Sequence, residues 1–302
     1  MSAIQIENFS KEFHLGFRMR RILAVKDLSF TVEEGEIFGF IGPNGAGKTT
    51  TLKALVGLIS PTRGKITILG RDVREARSRQ HLGFLPEEPY FYRYLKGREF
   101  LHFYGQLFGL PLSFRCRRID EMLELVGMKE AADLPLRKYS KGMLQRIGLA
   151  QALINDPILV ILDEPMSGLD PVGRSQIRQI ILHLKEQGKT VLFSSHILAD
   201  VEMICDRVAL IVRGELRQVG ALNSFYPGGT REIEIVAARV SVDPLRRAGF
   251  DAVDLDGSVL VRVKDEEARD RAISEILAQK GQILSVIPQR ESLEDVFARE
   301  IR

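Results

Sequence analysis

The stretch Ile37-Phe38-Gly39-Phe40-Ile41-Gly42-Pro43-Asn44-Gly45-Ala46-Gly47-Lys48-Thr49 constrains the fold more than any other part of the chain. An apolar run of strand length, Ile37 to Ile41, enters a loop of G-x-x-x-x-G-K-T form, Gly42 to Thr49. A helical pattern follows, Thr50 to Val56, until Gly57 stops it. Gly42, Gly45 and Gly47 let the backbone curl with its N–H groups pointing inward, where a side chain would block a phosphate. A helix that begins at Lys48 adds the partial positive charge of its N-terminus. Lys48 brings a mobile point charge to the β- and γ-phosphates, and Thr49 offers a hydroxyl to Mg²⁺. Strand, glycine loop and helix in this order predict a nucleoside triphosphate site made by Gly42, Pro43, Asn44, Gly45, Ala46, Gly47, Lys48, Thr49 and Thr50.

A second apolar run, Ile158 to Leu162, ends in Asp163-Glu164. Carboxylates at the C-terminal end of a parallel strand sit where open α/β sheets bind ligands. Asp163 is placed to hold Mg²⁺ through its water shell, and Glu164 to accept a proton from an attacking water. Ser140 precedes the helical pattern Leu144 to Ile154, so a hydroxyl and backbone N–H groups gather at a helix N-terminus, a second anion site. Ser167-Gly168-Leu169-Asp170 follows Glu164 closely, and His196 follows the strand Thr190 to Phe193. A histidine there is suited to contact a γ-phosphate as a neutral donor or acceptor.

Around these motifs the chain alternates strands and helices, which predicts α/β architecture with helices on a mostly parallel sheet. Ile4–Asn8, Leu28–Val32 and Lys65–Leu69 read as further strands, and Leu198–Ile204 as a short helix. From about Tyr90 to Arg137 the pattern becomes helical and rich in aromatics, with helices at Arg98–Phe108 and Phe114–Val126. Composition shifts near Ala221 to Thr230, where Pro227-Gly228-Gly229 interrupts the alternation. Beyond it the order β-α-β-β-α-β, with a hairpin across Asp256-Gly257, predicts a small ferredoxin-like α+β domain. Domains are therefore expected at 1–222 and 223–302, with a helical subdomain at about 90–137.

A net charge of +3 over 302 residues gives no argument for nucleic acid or anionic lipid. Cys116 and Cys205 have no metal-ligand spacing and fit a reducing cytosol. No apolar run approaches the roughly 18 residues that span a bilayer, and the N-terminus lacks the apolar core of a signal peptide. A soluble protein is expected, whose membrane role needs a partner.

Taken together, the P-loop, the Tyr139–Gln145 stretch, Asp163-Glu164, Ser167–Asp170 and His196 resemble the ATP-binding cassette in order and spacing, over roughly residues 3 to 222. The chain is similar to the nucleotide-binding subunit of an ABC transporter. That resemblance implies two cassettes, as a homodimer or a heterodimer, facing head to tail. ATP on Lys48 and Thr49 of one is then capped by Ser140 and Gly142 of the other, with Asp170 communicating across the pair. It implies Glu164 as general base, His196 as γ-phosphate switch, and Mg²⁺ held by Thr49, Asp163 and Glu87, where the family usually has Gln. Phe13 occupies the position of the aromatic that stacks on adenine, although the Gly16–Arg21 loop is longer than usual. The signature is usually L-S-G-G-Q, and here it is Tyr139-Ser140-Lys141-Gly142-Met143. An integral-membrane permease is the implied partner, reached through Glu88–Leu95, where Tyr92, Tyr94 or Leu95 forms part of the contact. The expected location is the cytoplasmic face of the membrane, and the direction export. The C-terminal domain, ending in Ser292-Leu293-Glu294-Asp295-Val296-Phe297, resembles tails with a dimerisation or regulatory role.

The alternative is a soluble cassette ATPase acting on ribosomes or nucleic acid. Translation types usually carry two cassettes, whereas this chain has one P-loop. DNA-repair types separate P-loop and signature by a long coiled coil, whereas here about ninety residues intervene without sustained heptads. No nucleic acid is expected. A GTPase is disfavoured by the absence of an N-K-x-D motif.

Overall fold

The computed structural model describes residues 2–15, 20–225, 230–255, 257–290 and 293–301. Two long strands, β1 (Ser2–Leu15) and β2 (Arg20–Glu33), pair antiparallel at its start. Both outrun the alternating segments expected from the sequence, because pairing continues from Phe9 opposite Leu28 to Leu15 opposite Arg20. The Gly16–Arg21 loop lies outside the described residues from 16 to 19. β3 (Ile37–Ile41) is buried along its whole length and leads through the glycine loop into α1 (Lys48–Leu55). There follow β4 (Arg63–Ile68), β5 (Arg71–Asp72) and β6 (Leu82–Leu85), then α2 (Gly97–Leu107), α3 (Leu112–Leu125) and α4 (Lys141–Leu153). Alternation resumes with β7 (Leu159–Leu162), α5 (Pro171–Glu186), β8 (Thr190–Ser195), α6 (Leu198–Ile204), β9 (Arg207–Val212) and β10 (Glu215–Ala221).

Two sheets organise this part of the chain. β2-β1-β4-β5 is antiparallel throughout. In β10-β9-β3-β8-β7-β6, five strands run parallel and β10 pairs antiparallel at the edge. The sheets share a core: Phe30 of β2 stacks on Phe38 of β3 with ring centroids 5.4 Å apart and planes 4° from parallel. Leu52 and Leu55 of α1 are fully buried in the same cluster. Each such side chain contributes about 1.5–3 kcal/mol on burial, so the glycine loop is clamped at both ends by packed elements. Parallel register brings the C-terminal ends of β3, β6, β7 and β8 to one edge.

β6 has no counterpart in the sequence reading. Four residues with a glycine among them give too short a signal, yet Gly83 is what admits the strand: a Cβ there would collide with the Ala152 carbonyl at the end of α4. α5 begins at Pro171, three residues ahead of the Arg174 start expected from the sequence, because the Asp170 carboxylate accepts a hydrogen bond from Gly173 N at 2.8 Å and Pro171 fits the first turn.

The chain divides into two compact units, Met1–Leu222 and Asn223–Arg302. The second contains β11 (Thr230–Ala238), α7 (Val242–Arg247), β12 (Asp251–Leu255), β13 (Ser258–Val263), α8 (Glu266–Ala278), β14 (Gln282–Arg290) and α9 (Leu293–Ile301). Its sheet, β12-β13-β11-β14, is antiparallel throughout, the strand order of a ferredoxin-like fold. Ile235 and Val261 face Leu245, Ala272 and Ile276 across a separate core. Pro227-Gly228-Gly229, Asp256 and Ser292 lie outside the described residues.

Candidate functional site

At the edge where β3, β6, β7 and β8 end, a cavity of about 520 Å³ opens. Pro43, Asn44, Gly45, Gly47, Lys48, Thr49 and Thr50 line it from the glycine loop, with Glu87, Glu164 and His196 from the ends of β6, β7 and β8. Three glycines shape the loop for different reasons. Gly45 and Gly47 hold φ of +77° and +106°, which a side chain resists, and a Cβ on Gly42 would collide with the Ile211 carbonyl. Gly42 and Ala46 do not line the cavity; Ala46 is buried behind it, its carbonyl accepting from Gly214 N at 2.9 Å.

Lys48 and Glu164 are each only 6% exposed, and their charges face one another. Lys48 Nζ lies 3.1 Å from Glu164 Oε1 and donates to the Gly42 carbonyl at 2.7 Å. The geometry between Nζ and Oε1 does not make a hydrogen bond, and Oε1 accepts none among the described residues. The other oxygen, Oε2, is 2.8 Å from His196 Nδ1. One carboxylate thus sits between a buried cation and a half-exposed imidazole. Its backbone is left-handed, with φ of +49°, a conformation that costs a residue with a side chain about 1–3 kcal/mol.

Ser194 holds it there. The Glu164 N–H donates to Ser194 Oγ at 2.8 Å, and that hydroxyl donates to Asp163 Oδ1 at 2.7 Å. Asp163 is 1% exposed. Burial raises the pKa of its carboxyl above the ordinary value, opposed by hydrogen bonds from Ser194 and Thr49. Sequence reasoning missed Ser194 because the strand was expected to stop at Phe193. The available signal was the pair Ser194-Ser195 directly before His196, at the end of a buried strand and therefore in need of partners.

The cavity offers oxygen donors: the Thr49 hydroxyl and Glu87 on its wall, and at the end of β7 the Asp163 carboxylate, whose pKa, raised by burial, Ser194 and Thr49 help to lower. This hard donor set suits Mg²⁺, which takes one or two carboxylates and otherwise water and phosphate oxygens.

Ser140, Gly142 and Asp170 lie elsewhere. They line a second concavity of about 350 Å³, with Lys141, Arg146 and Gly168, and it shares no lining residue with the first. Ser140 caps α4, its Oγ accepting from Met143 N at 3.3 Å. Phe13 lines neither cavity; it sits opposite Ile22 on β1 with Lys11 Nζ 5.1 Å from its ring centre. Ala24, unremarked in the sequence, lines the first cavity instead.

Buried Asp200 of α6 pairs with Arg178 of α5 and lies 3.8 Å from Arg174. The aromatics of the helical insert form a chain of ring contacts from Tyr90 through Tyr92 to Phe103 and Tyr104. Tyr90 and Tyr94 are mostly exposed, and Tyr92 and Leu95 half-buried.

Comparison with known proteins matches residues 25–167 to the ABC transporter family model. An uncharacterized ABC transporter ATP-binding protein of Synechocystis sp. is 45% identical over all of this chain and 85% of its own length. The linearmycin resistance ATP-binding protein of Bacillus subtilis is 37% identical over 79% of this chain and 76% of its own. Among solved structures, a dimeric bacterial ABC transporter cassette superposes with a TM-score of 0.67 at 25% identity, over 72% of this chain and 98% of that one.

Proposed function

The chain belongs to the ABC transporter ATP-binding proteins, an ATPase family, and we propose that it drives export through a separately encoded integral-membrane permease. One observation carries the chemistry: the Glu164 carboxylate is held between Lys48 and His196 at the mouth of the glycine loop. Lys48 binds the β- and γ-phosphates when they enter. Glu164 then takes a proton from the attacking water, and His196, released from Oε2, orients the γ-phosphate. Thr49, Asp163 and Glu87 would hold Mg²⁺, which would supply neutralisation of phosphate charge.

In this reading two copies of the cassette face head to tail, Ser140 and Gly142 of one capping ATP on the loop of the other, with Asp170 at the seam. The separation of the two concavities supports it, as does the likeness to a dimeric cassette. Export draws on the linearmycin resistance relative, since resistance to a toxic molecule is met by removing it. None of the described helices is long and apolar enough to cross a membrane, so the path lies in a partner and this subunit sits at its cytoplasmic face. Tyr92, Tyr94 or Leu95 forms part of the contact with that partner, Tyr94 being the exposed one of the three, and exposed apolar surface marks interfaces. The C-terminal unit serves dimerisation or regulation.

The test uses a tagged Glu164→Gln form. Hydrolysis falls roughly 10²–10⁴-fold, the usual contribution of a general base, while ATP binding persists. The same form, purified from detergent-solubilised membranes of its host, brings down a polytopic membrane protein in stoichiometric amount. Undiminished turnover removes Glu164 from its role. Recovery of ribosomes or DNA, with nothing from the membrane, replaces the transporter reading with the soluble one.

A further inference from the structure

Asp200 stands in the first turn of α6, shortly after His196, and is 3% exposed. A carboxylate buried to that degree needs partners. Both come from one face of α5, where Arg174 and Arg178 are one helical turn apart. Arg178 Nη1 donates to Asp200 Oδ1. Arg174 Nη1 stops 3.8 Å from Oδ2, beyond hydrogen-bond reach. Oδ2 and Arg174 Nε are both buried, and neither makes a hydrogen bond among the described residues. The clasp between α5 and α6 is therefore half made, one contact closed and the other open by about an ångström.

Each side of the clasp leads to a different concavity. Arg174 lies in the opening turn of α5, and its N–H donates to the Asp170 carbonyl at 3.0 Å. Asp170 caps that helix on the wall of the second concavity. On the other side, α6 starts at Leu198, just beyond His196. The turn between them is tied by the Ile197 N–H, which donates to Ser195 Oγ at 2.9 Å. His196 itself lines the nucleotide cavity. A connection thus runs from Asp170 through Arg174 and Asp200 to His196, with one open joint. For stability alone, an apolar pair of similar volume commonly serves as well as a buried ion pair, which leaves these charges room for another role. We infer that Asp200 is a positioning residue for hydrolysis: when Arg174 closes on Oδ2, α6 shifts and sets His196 against the γ-phosphate. Asp200 acts through His196 and touches no substrate. This rests on the reading of His196 given above and adds the means by which the Asp170 loop governs it.

The open contact makes the test sharp, because removing it takes no hydrogen bond from the resting fold. In the full-length protein, Arg174→Met should shift the urea midpoint of the nucleotide-free form little. It should lower kcat for ATP about tenfold or more, the scale of one charge-assisted hydrogen bond, with KM held within about twofold. Arg174→Lys, which keeps the charge, should recover part of that loss. Asp200→Asn should lower kcat at least as far, and adding Arg174→Met to it should cost nothing more, since the two share one contact. In nuclear magnetic resonance of the Glu164→Gln form, the His196 imidazole signal should move on adding ATP, and move less when Arg174→Met is also present. An unchanged kcat in Arg174→Met overturns the assignment. So does a midpoint that falls in step with kcat, which a packing role explains, or a His196 signal that responds to ATP in full. The reading beneath it is checked separately: His196→Ala should lose hydrolysis. If that variant turns over at the parental rate, His196 is not the γ-phosphate contact and the clasp has nothing to position. If it is inactive while Arg174→Met keeps its kcat, the assignment of the clasp alone is wrong.

Discussion

The two concavities of the cassette treat charge in opposite ways. In the first, cation and anion come from the same chain: Lys48 and Glu164 are both buried and face each other at 3.1 Å. In the second, Lys141 is exposed and makes no ion pair among the described residues, although Asp170 lines the same wall. The lesson concerns assembly. A buried lysine must be paired or hydrogen-bonded for the chain to fold at all, whereas an exposed one stays solvated at little cost until a ligand takes it. The nucleotide cavity therefore folds with its charges paired, whereas the second concavity leaves its lysine to solvent.

The largest effect that would break this contrast is on stability. Lys48→Met leaves the Glu164 carboxylate buried with His196 as its remaining partner. Removing one member of a buried pair costs about 3–5 kcal/mol, and the low end is expected because His196 still bonds Oε2. Urea unfolding of the nucleotide-free protein at neutral pH measures it. A midpoint unchanged from the parent would show that Lys48 and Glu164 are not a paired buried couple.

Next comes Asp163→Asn. Burial makes the folded state hold the Asp163 proton more tightly than the unfolded chain does, whose value is near 3.8. The neutral carboxyl is thus favourable below that value, and the advantage is lost as the pH rises through the raised folded value. At neutral pH the buried charge opposes folding. Without nucleotide or metal, Asp163→Asn should melt a few degrees higher at pH 7.5 and show less difference from the parent near pH 4. Thermal melts at both values check the sign. A lower melting point at pH 7.5 would mean that the carboxylate is stabilised by its neighbours after all. The smallest effect is that of Lys141→Met, expected within about 0.5 kcal/mol of the parent, as for ordinary surface changes. A larger loss would reveal a folding role for Lys141 and weaken the contrast.

Much of this architecture was legible in the sequence, for physical reasons that differ by element. β3 and α6 begin and end where the apolar pattern places them. The α/β class and the ferredoxin-like order follow from alternation alone. The glycine loop was legible because each glycine answers a backbone need. What escaped depends on contacts distant in sequence. β6 is a strand because it pairs with β7 and because α4 leaves room only for Gly83. Ser194 matters because Asp163 and Glu164, some thirty residues earlier, converge on it. Phe13 had the position expected for an adenine contact, yet the β1–β2 pairing sets it outside the cavity and puts Ala24 there.

The Ser194 hydroxyl has a single proton, and the Glu164 N–H decides where it goes. Since Oγ must accept from that backbone, its proton is directed to Asp163. The tip of β8 consequently acts as an axle on which both acids are mounted, and His196 is the second residue beyond it in the chain. A shift of that tip moves the anchor of both acids, so a push on α6 reaches Asp163 and Glu164 in the same stroke.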